Sequence, residues 1–324
     1  MSKNKTTKKS VYILTEGGTE EAYFSRIGEI VGVDTEWKYS VTVEVREIIS
    51  GSKTDPINIF KEAKKSKKDY DEIWVVFDKD RERDEQNQKA IELAIKSKIN
   101  VAFSSISFEH WLILHFERNT FAFQRSDCES RSTNINPVVC VCNETICASS
   151  RLKSPTLYPT FKKGYSLLYD DFQSKNNIAI ENAAWLRHQK SPYTSIHLLN
   201  PYSDTDILLC ELLNLKRVEY SSIGNTFIFE GITIGILNST RNGNNISVKL
   251  SLINQRETAF LINNNQPITL TDGQDNSFSY NSIPTSILNP TFNQNIVLIF
   301  AINPTSTFLR LKVTTTNKTI LVDL

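Results

Sequence analysis

The chain has 324 residues, more than the ~250–300 at which a single hydrophobic core usually stops growing, so its length favours two domains. Hydrophobic residues make up 40% and charged residues 23%, a balance that is typical of globular proteins and excludes a disordered or fibrous chain. The net charge of +1 gives no general attraction to polyanions. A nucleic acid would therefore have to be held by local groups of lysine and arginine.

No apolar run reaches the ~18–20 residues that a membrane-spanning helix needs. The Lys-rich start of the chain, residues 1–10, is not followed by the apolar stretch of a signal peptide. These features predict a cytoplasmic protein without a membrane partner. Five cysteines, an odd number, argue against a disulfide framework in such a protein.

The composition changes sharply near Lys216 and Arg217. Residues 218–324 contain 12 charged residues in 107, whereas the 217 residues before them contain 61. The same C-terminal segment carries 16 Asn. Such a shift marks a domain boundary, so we predict one domain over residues 1–217 and a second over residues 218–324.

The first domain alternates strand-like and helix-like patterns. An α/β fold with a mostly parallel sheet follows from this alternation, and the segment Gly164–Leu215 extends it with helices. The predicted strands are Val11–Thr15, Val41–Ile48, Glu72–Phe77 and Asn100–Ser104, and the predicted helices are Thr19–Val31, Pro56–Lys67, Glu85–Lys98 and Ser107–Glu117.

Acidic residues follow three of these strands. Glu16 and Glu20 come after the first, Asp78 and Asp80 after the third, and Glu109 after the fourth. Because the carboxyl ends of parallel strands meet at one edge of the sheet, these groups are expected to gather there. Asp78 and Asp80 are two residues apart, so both can face one hard cation. Mg²⁺ or Mn²⁺ would relieve the repulsion among the carboxylates.

A purely structural alternative exists for several of these residues. Asp78 can cap the following turn while Asp80 pairs with Arg81 or Arg83 on the surface. Glu20 suits the first turn of any helix, because acidic side chains interact favourably with the helix dipole there.

Three ordered motifs resemble the RloB family, which belongs to the wider Toprim group. They are Glu-Gly-x-Thr-Glu-x-x-Tyr-Phe over Glu16–Phe24, Phe-Asp-x-Asp over Phe77–Asp80, and Ser-x-Phe-Glu-x-Trp-Leu-x-x-His-Phe over Ser105–Phe116. The likeness covers residues 11–116 well and continues more loosely through later stretches near residues 162–165, 182–184 and 191–194. Residues 124–157 look like an insertion, and everything after Arg217 looks added.

The resemblance implies a Mg²⁺-dependent (or Mn²⁺-dependent) nuclease that acts on RNA, including tRNA, or on DNA in anti-phage defence. It implies that Glu16 acts as general acid or base and metal ligand, with Asp78 and Asp80 as further metal ligands. Glu20, Glu109 and His115 match assisting positions of the motifs. Relatives are often encoded beside an ATPase, and a homo-oligomer is a further expectation. The competing hypothesis is a catalytically inactive Toprim-fold binding or regulatory subunit that senses a phage or host partner through its C-terminal domain.

The helix over Ser107–Glu117 places Phe108, Trp111, Leu112 and His115 on one stripe facing the sheet. Glu109 then lies off that stripe, near an exposed N-terminus, from which it could reach the metal edge. His115 is as consistent with packing inside the apolar face as with catalysis. Basic residues beyond this helix, among them Arg151, Lys163 and Arg187, are candidates for contacting phosphates or are simply solvated.

Cys128, Cys140, Cys142 and Cys147 fall within 20 residues and could close a structural Zn²⁺ site. Their spacing fits no standard ligand pattern, and residues 138–142 could equally form a strand whose thiols alternate between faces. Zinc is therefore the less favoured interpretation.

The C-terminal domain reads as seven or eight short strands separated by turns such as Arg241-Asn-Gly-Asn, which predicts an antiparallel β-sandwich. The strands are expected at Phe227–Ile236, Ile246–Asn254, Thr258–Asn263, Ile268–Thr271, Ser277–Tyr280, Ile296–Ile302, Thr307–Thr315 and Lys318–Val322. This C-terminal domain contains no histidine, cysteine or acidic cluster. A binding or interaction module is therefore expected rather than a catalytic one.

Overall fold

A computed structural model of the chain describes residues 9–34, 39–45, 56–79, 84–123, 147–190, 194–262, 267–274, 276–281, 286–315 and 318–324. The chain forms two compact units, Met1–Leu215 and Lys216–Leu324. Within the described ranges, no helix combines the length and the apolar character needed to cross a membrane.

The N-terminal unit is built on a five-stranded sheet in the order β2-β1-β3-β4-β5. Its strands are β1 (Lys9–Thr15), β2 (Tyr39–Val45), β3 (Glu72–Asp78), β4 (Asn100–Ser105) and β5 (Tyr202–Ser203). The first four are parallel, and β5 runs antiparallel to β4. The predicted α/β architecture with a mostly parallel sheet is thus confirmed.

Helices follow the parallel strands in alternation and cover the sheet. They are α1 (Gly18–Val33), α2 (Pro56–Lys65), α3 (Asp84–Ser97) and α4 (Phe108–Ile113), and the later helices are α5 (Ala148–Leu152), α6 (Leu168–Phe172), α7 (Asn176–His188) and α8 (Thr205–Leu213). Short 3₁₀ turns extend α2 and precede α7. The middle of β3, Ile73–Phe77, is buried, as expected for a strand covered on both faces.

Two sequence-based details of the helices are wrong. The helix predicted over Ser107–Glu117 ends at Ile113, because the chain turns through residues 114–116 after one and a half turns. It has no exposed stripe: every residue of α4 is buried. Glu109 is accordingly 4% exposed rather than at a solvent-facing helix end.

The C-terminal unit contains two larger sheets with one core between them. One has the order β12-β11-β15-β16-β6 and the other β14-β9-β8-β7. The strands are β6 (Arg217–Ser221), β7 (Thr226–Phe229), β8 (Ile232–Asn242), β9 (Asn245–Asn254), β10 (Phe260–Ile262), β11 (Ile268–Thr271), β12 (Ser277–Phe278), β13 (Ser286–Leu288), β14 (Asn293–Ala301), β15 (Arg310–Thr314) and β16 (Lys318–Asp323). Aliphatic side chains from both sheets, such as Leu250 and Leu311, pack into that core.

The single strand predicted over Phe227–Ile236 is instead a hairpin of β7 and β8. Glu230 and Gly231 both have positive φ values, and this backbone turns the chain back on itself. Pairing is antiparallel except where β16 lies parallel to β6, the strand that opens the unit. The predicted β-sandwich organisation is consistent with this arrangement.

Asp272 is a buried carboxylate of the sandwich, between β11 and β12. It accepts hydrogen bonds from the backbone N–H groups of Gln274 and Asn276 at 3.0 Å each and from the Ser306 hydroxyl at 2.7 Å. The Asn276 side-chain amide donates to it as well, and these bonds lower the pKa of Asp272 to about 2.

Candidate functional site

Glu16 and Asp78 lie side by side at the carboxyl ends of β1 and β3. The backbone N–H of Glu16 donates to the Val76 carbonyl at 3.1 Å, which continues the pairing of the two strands by one residue. The backbone N–H of Asp78 donates to Glu16 Oε2 at 3.2 Å. The parallel register therefore brings together two carboxyl groups that are 62 residues apart in the sequence.

Glu20 reaches the same edge from the first turn of α1. The preceding Gly17 allows this close approach, since a Cβ atom at Gly17 would lie only 2.8 Å from Glu20 Oε2. A Cβ at the next residue, Gly18, would meet no atom within 4 Å. Glu20 is 4% exposed, although a first-turn glutamate usually faces solvent.

Glu109 comes from α4, the helix that follows β4, and is 4% exposed, like Glu20. Its Oε1 atom lies 3.3 Å from the Nζ atom of Lys163, which belongs to the segment between α5 and α6. Neighbouring Gly164 has a φ of +68°, a conformation that favours glycine. Lys163 is thus brought into the site from a part of the chain far from the strand ends.

These side chains line one cavity of about 640 Å³. Four acidic and two basic side chains face it, together with the glycine-rich turn after β1 and the start of α4. The lining residues are Glu16, Gly17, Gly18, Thr19, Glu20, Asp78, Lys79, Ile106, Ser107, Phe108, Glu109, Lys163 and Gly164. The Lys79 ammonium lies 3.4 Å from Asp84 Oδ1.

Crowding of carboxylates changes their acidity. Burial raises the pKa of Asp78 well above its usual range, and repulsion from Glu20, Glu109 and Glu16 raises it further. Burial likewise raises the pKa of Glu20 to about 8, with smaller contributions from Glu109 and Glu16 that Lys163 partly offsets. Among the described residues, the two lysines that line the cavity therefore do not suffice to keep all of its carboxyl groups ionised at neutral pH.

The donor chemistry fits a hard divalent cation, because such ions take carboxylate oxygens as ligands. In the described ranges, no three His, Cys, Asp or Glu side chains are already close enough together to form a metal cluster. Asp80, the third predicted ligand, lies outside the described residues, as do Arg81 and Arg83 of the structural alternative. The fit therefore rests on Glu16 and Asp78, with Glu20 and Glu109 beside them.

His115 does not reach this cavity. Its ring is fully buried among aromatic rings, with centroid distances of 4.8 Å to Trp111 and 5.0 Å to Phe172. Its Nδ1 atom is 3.2 Å from the Trp111 carbonyl oxygen. Burial lowers the pKa of His115 to about 3, so the ring is neutral at physiological pH. These contacts match the packing interpretation of His115.

Only one of the four clustered cysteines is described. Cys147 is a buried free thiol at the start of α5, where its sulfur accepts a hydrogen bond from the Ser150 backbone N–H at 3.4 Å. Cys128, Cys140 and Cys142 lie outside the described residues, so the zinc hypothesis stays a prediction.

The basic residues considered from the sequence have different surroundings. Arg151 bonds with Glu117, and the half-buried Arg187 makes two hydrogen bonds to Asp206. Lys163 alone of these three lines the cavity. Its position was not predictable from local pattern, because it depends on how the segment before α6 folds back onto the strand ends.

Comparison with curated proteins gives no match. Among solved structures, a β-sandwich protein of Clostridium difficile aligns at 11% identity over 34% of this chain and 95% of its own, with a TM-score of 0.27. A mutant β-glucosidase of Listeria innocua aligns at 10% identity over 99% of this chain and 46% of its own, with a TM-score of 0.25. Neither likeness is close enough to transfer a function.

The sequence model of RloB-like proteins matches residues 11–212, which is more than half of the chain and includes every described residue of the acidic cavity. The chain therefore belongs to the RloB-like family.

Proposed function

We propose that the N-terminal unit is a divalent-metal-dependent nuclease of the Toprim type that hydrolyses phosphodiester bonds in RNA or DNA. The observation that carries the proposal is the convergence of Glu16, Glu20, Asp78 and Glu109 on one open cavity. Carboxyl groups crowded in this way are costly without a cation, and their raised pKa values express that cost.

In this proposal Glu16 and Asp78, with Asp80, hold Mg²⁺ or Mn²⁺. A bound ion of this kind supplies charge stabilisation at the phosphate and lowers the pKa of water. The protein's own side chains position the phosphodiester and transfer the protons. In the hydrolysis, the oxygen of water bonds to phosphorus, the bond to one ester oxygen breaks, and the leaving oxygen takes up a proton.

Glu20 and Glu16 suit complementary proton-transfer roles. We assign to Glu20 the delivery of a proton to the leaving oxygen, because its side chain lines the same cavity as Glu16. Glu16 sits beside Asp78 at the more open part of the cluster, where a carboxylate can accept a proton from water. Family relatives in anti-phage loci make a defence role the natural setting for such an activity.

The test is a cleavage assay on the full chain. Labelled RNA, tRNA and DNA are incubated with Mg²⁺, Mn²⁺ or EDTA, and the wild type is compared with Asp78→Ala. Loss of Asp78 should reduce metal-dependent cleavage by at least ~100-fold, as for removal of a preorganised electrostatic partner. The matched control is Glu21→Gln, an exposed acid next to Glu20 that does not line the cavity.

Cleavage that is unchanged in Asp78→Ala would reject the assigned site. The assay is repeated with any ATPase that is encoded beside this protein. If no substrate is cleaved with either metal under any of these conditions, the N-terminal unit is instead a binding or regulatory subunit. A rise in the thermal unfolding temperature on addition of Mg²⁺ or Mn²⁺ separates these cases from simple misfolding.

A further inference from the structure

Lys163 is held at the cavity by a firmly anchored segment. Phe161 is 3% exposed and Leu168 is fully buried, so the residues between them are fixed at both ends. Gly164 supplies the left-handed turn between these anchors, and a Cβ atom there would stand 3.8 Å from the Gly18 carbonyl oxygen. The segment therefore lies against the glycine turn after β1, and Lys163 lines the cavity next to Glu109.

The side chain of Lys163 is partly in solvent although it lines the cavity. The lysine side chain keeps 48% of its exposure, whereas its partner Glu109 keeps 5%. A group arriving from solvent can therefore reach the Lys163 side chain directly, whereas Glu109 is almost closed to solvent. The pair is 3.3 Å long, at the loose end of the range for a charged hydrogen bond, so exchanging its acceptor requires little rearrangement.

We propose that Lys163 binds a non-bridging oxygen of the phosphodiester that is cleaved, replacing its contact with Glu109 by a contact with the substrate. This inference rests on the proposed nuclease function and adds the residue that positions the backbone. An ammonium on a flexible stem suits this role, because phosphate oxygens accept from it without a fixed direction. A phosphate next to four carboxylates also needs such a cation to offset the repulsion between like charges.

Lys79, Arg151 and Arg187 are each paired with a carboxylate that does not line the cavity. Lys79 is 8% exposed and forms an ion pair with Asp84. Arg151 and Arg187 are bonded to Glu117 and Asp206, as described above. Among the described residues that line the cavity, Lys163 is therefore the cation best placed to meet a ligand from solvent.

The experiment compares Lys163→Ala and Lys163→Arg with Lys162→Ala. Lys162 is the matched control: it is exposed and adjacent, but it does not line the cavity. Cleavage of the best substrate should lose roughly 10- to 100-fold in kcat/KM in Lys163→Ala, the range for losing one charged hydrogen bond. Lys163→Arg should recover part of that loss, and Lys162→Ala should stay within about twofold of wild type.

Binding is measured separately from cleavage. A labelled single-stranded oligonucleotide is titrated with Ca²⁺ as the divalent ion, its integrity is checked on a gel, and the measurement is repeated over a salt series. Losing one phosphate contact should reduce the slope of log K against log salt by ~0.7 in Lys163→Ala only. A purely structural role of Lys163 would not change this slope.

Equal slopes and equal kcat/KM values in Lys163→Ala and Lys162→Ala would overturn the inference. If the wild type binds the oligonucleotide but cleaves nothing, the nuclease proposal fails while the slope still decides the role of Lys163. If the wild type neither binds nor cleaves, both proposals fail.

Discussion

Burial favours the neutral form of an ionisable group in both units, and the units differ in whether hydrogen bonds outweigh this effect. In the cavity and on α4 of the N-terminal unit burial dominates: the pKa values of Glu20 and Asp78 are raised, and those of His110 and His115 are lowered. In the sandwich, hydrogen bonds from Asn276, Ser306 and the backbone stabilise the ionised form of Asp272 and lower its pKa to about 2.

The difference shows which carboxylates are stabilised in their ionised form by the protein's own hydrogen-bond donors. Asp272 has all the partners a buried anion needs, so its role is to hold a turn of the sandwich together. The carboxylates of the cavity face one another instead, and Lys163 offsets their repulsion only in part, so a bound cation would favour their ionised forms. Perturbation in this direction, beside a cavity, is typical of a functional site.

The largest expected effect on stability concerns the buried histidines. Their folded-state pKa values are about 4 for His110 and about 3 for His115, below the unfolded value of 6.5. Below about pH 6.5 the unfolded chain therefore binds more protons than the folded chain. Each histidine should lower the free energy of unfolding by about 2 kcal/mol at pH 5 relative to pH 8. His110→Phe together with His115→Phe should remove about 4 kcal/mol of this acid sensitivity.

The measurement is urea unfolding of wild type and variants at pH 8 and pH 5. Results are compared as differences, because the raised pKa of Glu20 changes stability in the opposite direction over the same range. Phe172→Leu is the packing control: it disturbs the same aromatic cluster without an ionisable group, so its cost should be equal at both pH values. An equal cost for His115→Phe at both pH values would contradict the prediction.

The next effect is stabilisation by metal. Mg²⁺ or Mn²⁺ at about 100 times its Kd should stabilise the N-terminal unit by about 2.7 kcal/mol. Because protons compete for Glu20, whose pKa is about 8, the stabilisation should be larger at pH 8.5 than at pH 6. Thermal unfolding with and without metal tests this.

Substitution of Asp78 tests the site of binding, and substitution of Asp272 is the control. Asp78→Asn should abolish the metal-induced shift, whereas Asp272→Asn should lower stability and leave the shift unchanged. A shift that survives in Asp78→Asn would mean that the ion binds elsewhere.

The smallest effect comes from a single methyl group. Gly17→Ala should displace the Glu20 carboxylate, since the new Cβ would come within 2.8 Å of its oxygen. Because that oxygen ends a flexible side chain, the stability cost should be under about 1 kcal/mol, while metal binding should weaken by about fivefold. Gly18→Ala should have neither effect, and calorimetric titration with Mn²⁺ distinguishes the two. Equal affinities in the two variants would show that the position of Glu20 is unimportant.

The sequence predicted the part of the fold that depends on local pattern. The apolar runs at Val11–Thr15 and Glu72–Phe77 became neighbouring strands β1 and β3, and the rule that parallel strands end at one edge anticipated that Glu16 and Asp78 would be neighbours. The RloB-like family was also correctly recognised from three motifs.

Features set by tertiary contacts were not predictable in this way. β5 has two residues and shows no periodicity of its own, and it exists because Tyr202 and Ser203 pair with the end of β4. The burial of Glu109 depends on α4 being enclosed on all sides. Lys163 reaches the cavity only because residues distant in sequence fold back onto it.

The parallel pairing of β6 with β16 has a consequence for how the chain is made. The first strand of the sandwich receives its neighbour from residues 318–322, about a hundred residues later. During translation the N-terminal unit, which ends at Leu215, can fold before β16, the last strand of the sandwich, has been synthesised. A ribosome that stops before residue 318 would release a protein with an intact acidic cavity joined to two unsatisfied β-edges, those of β6 and β15, and such edges promote aggregation.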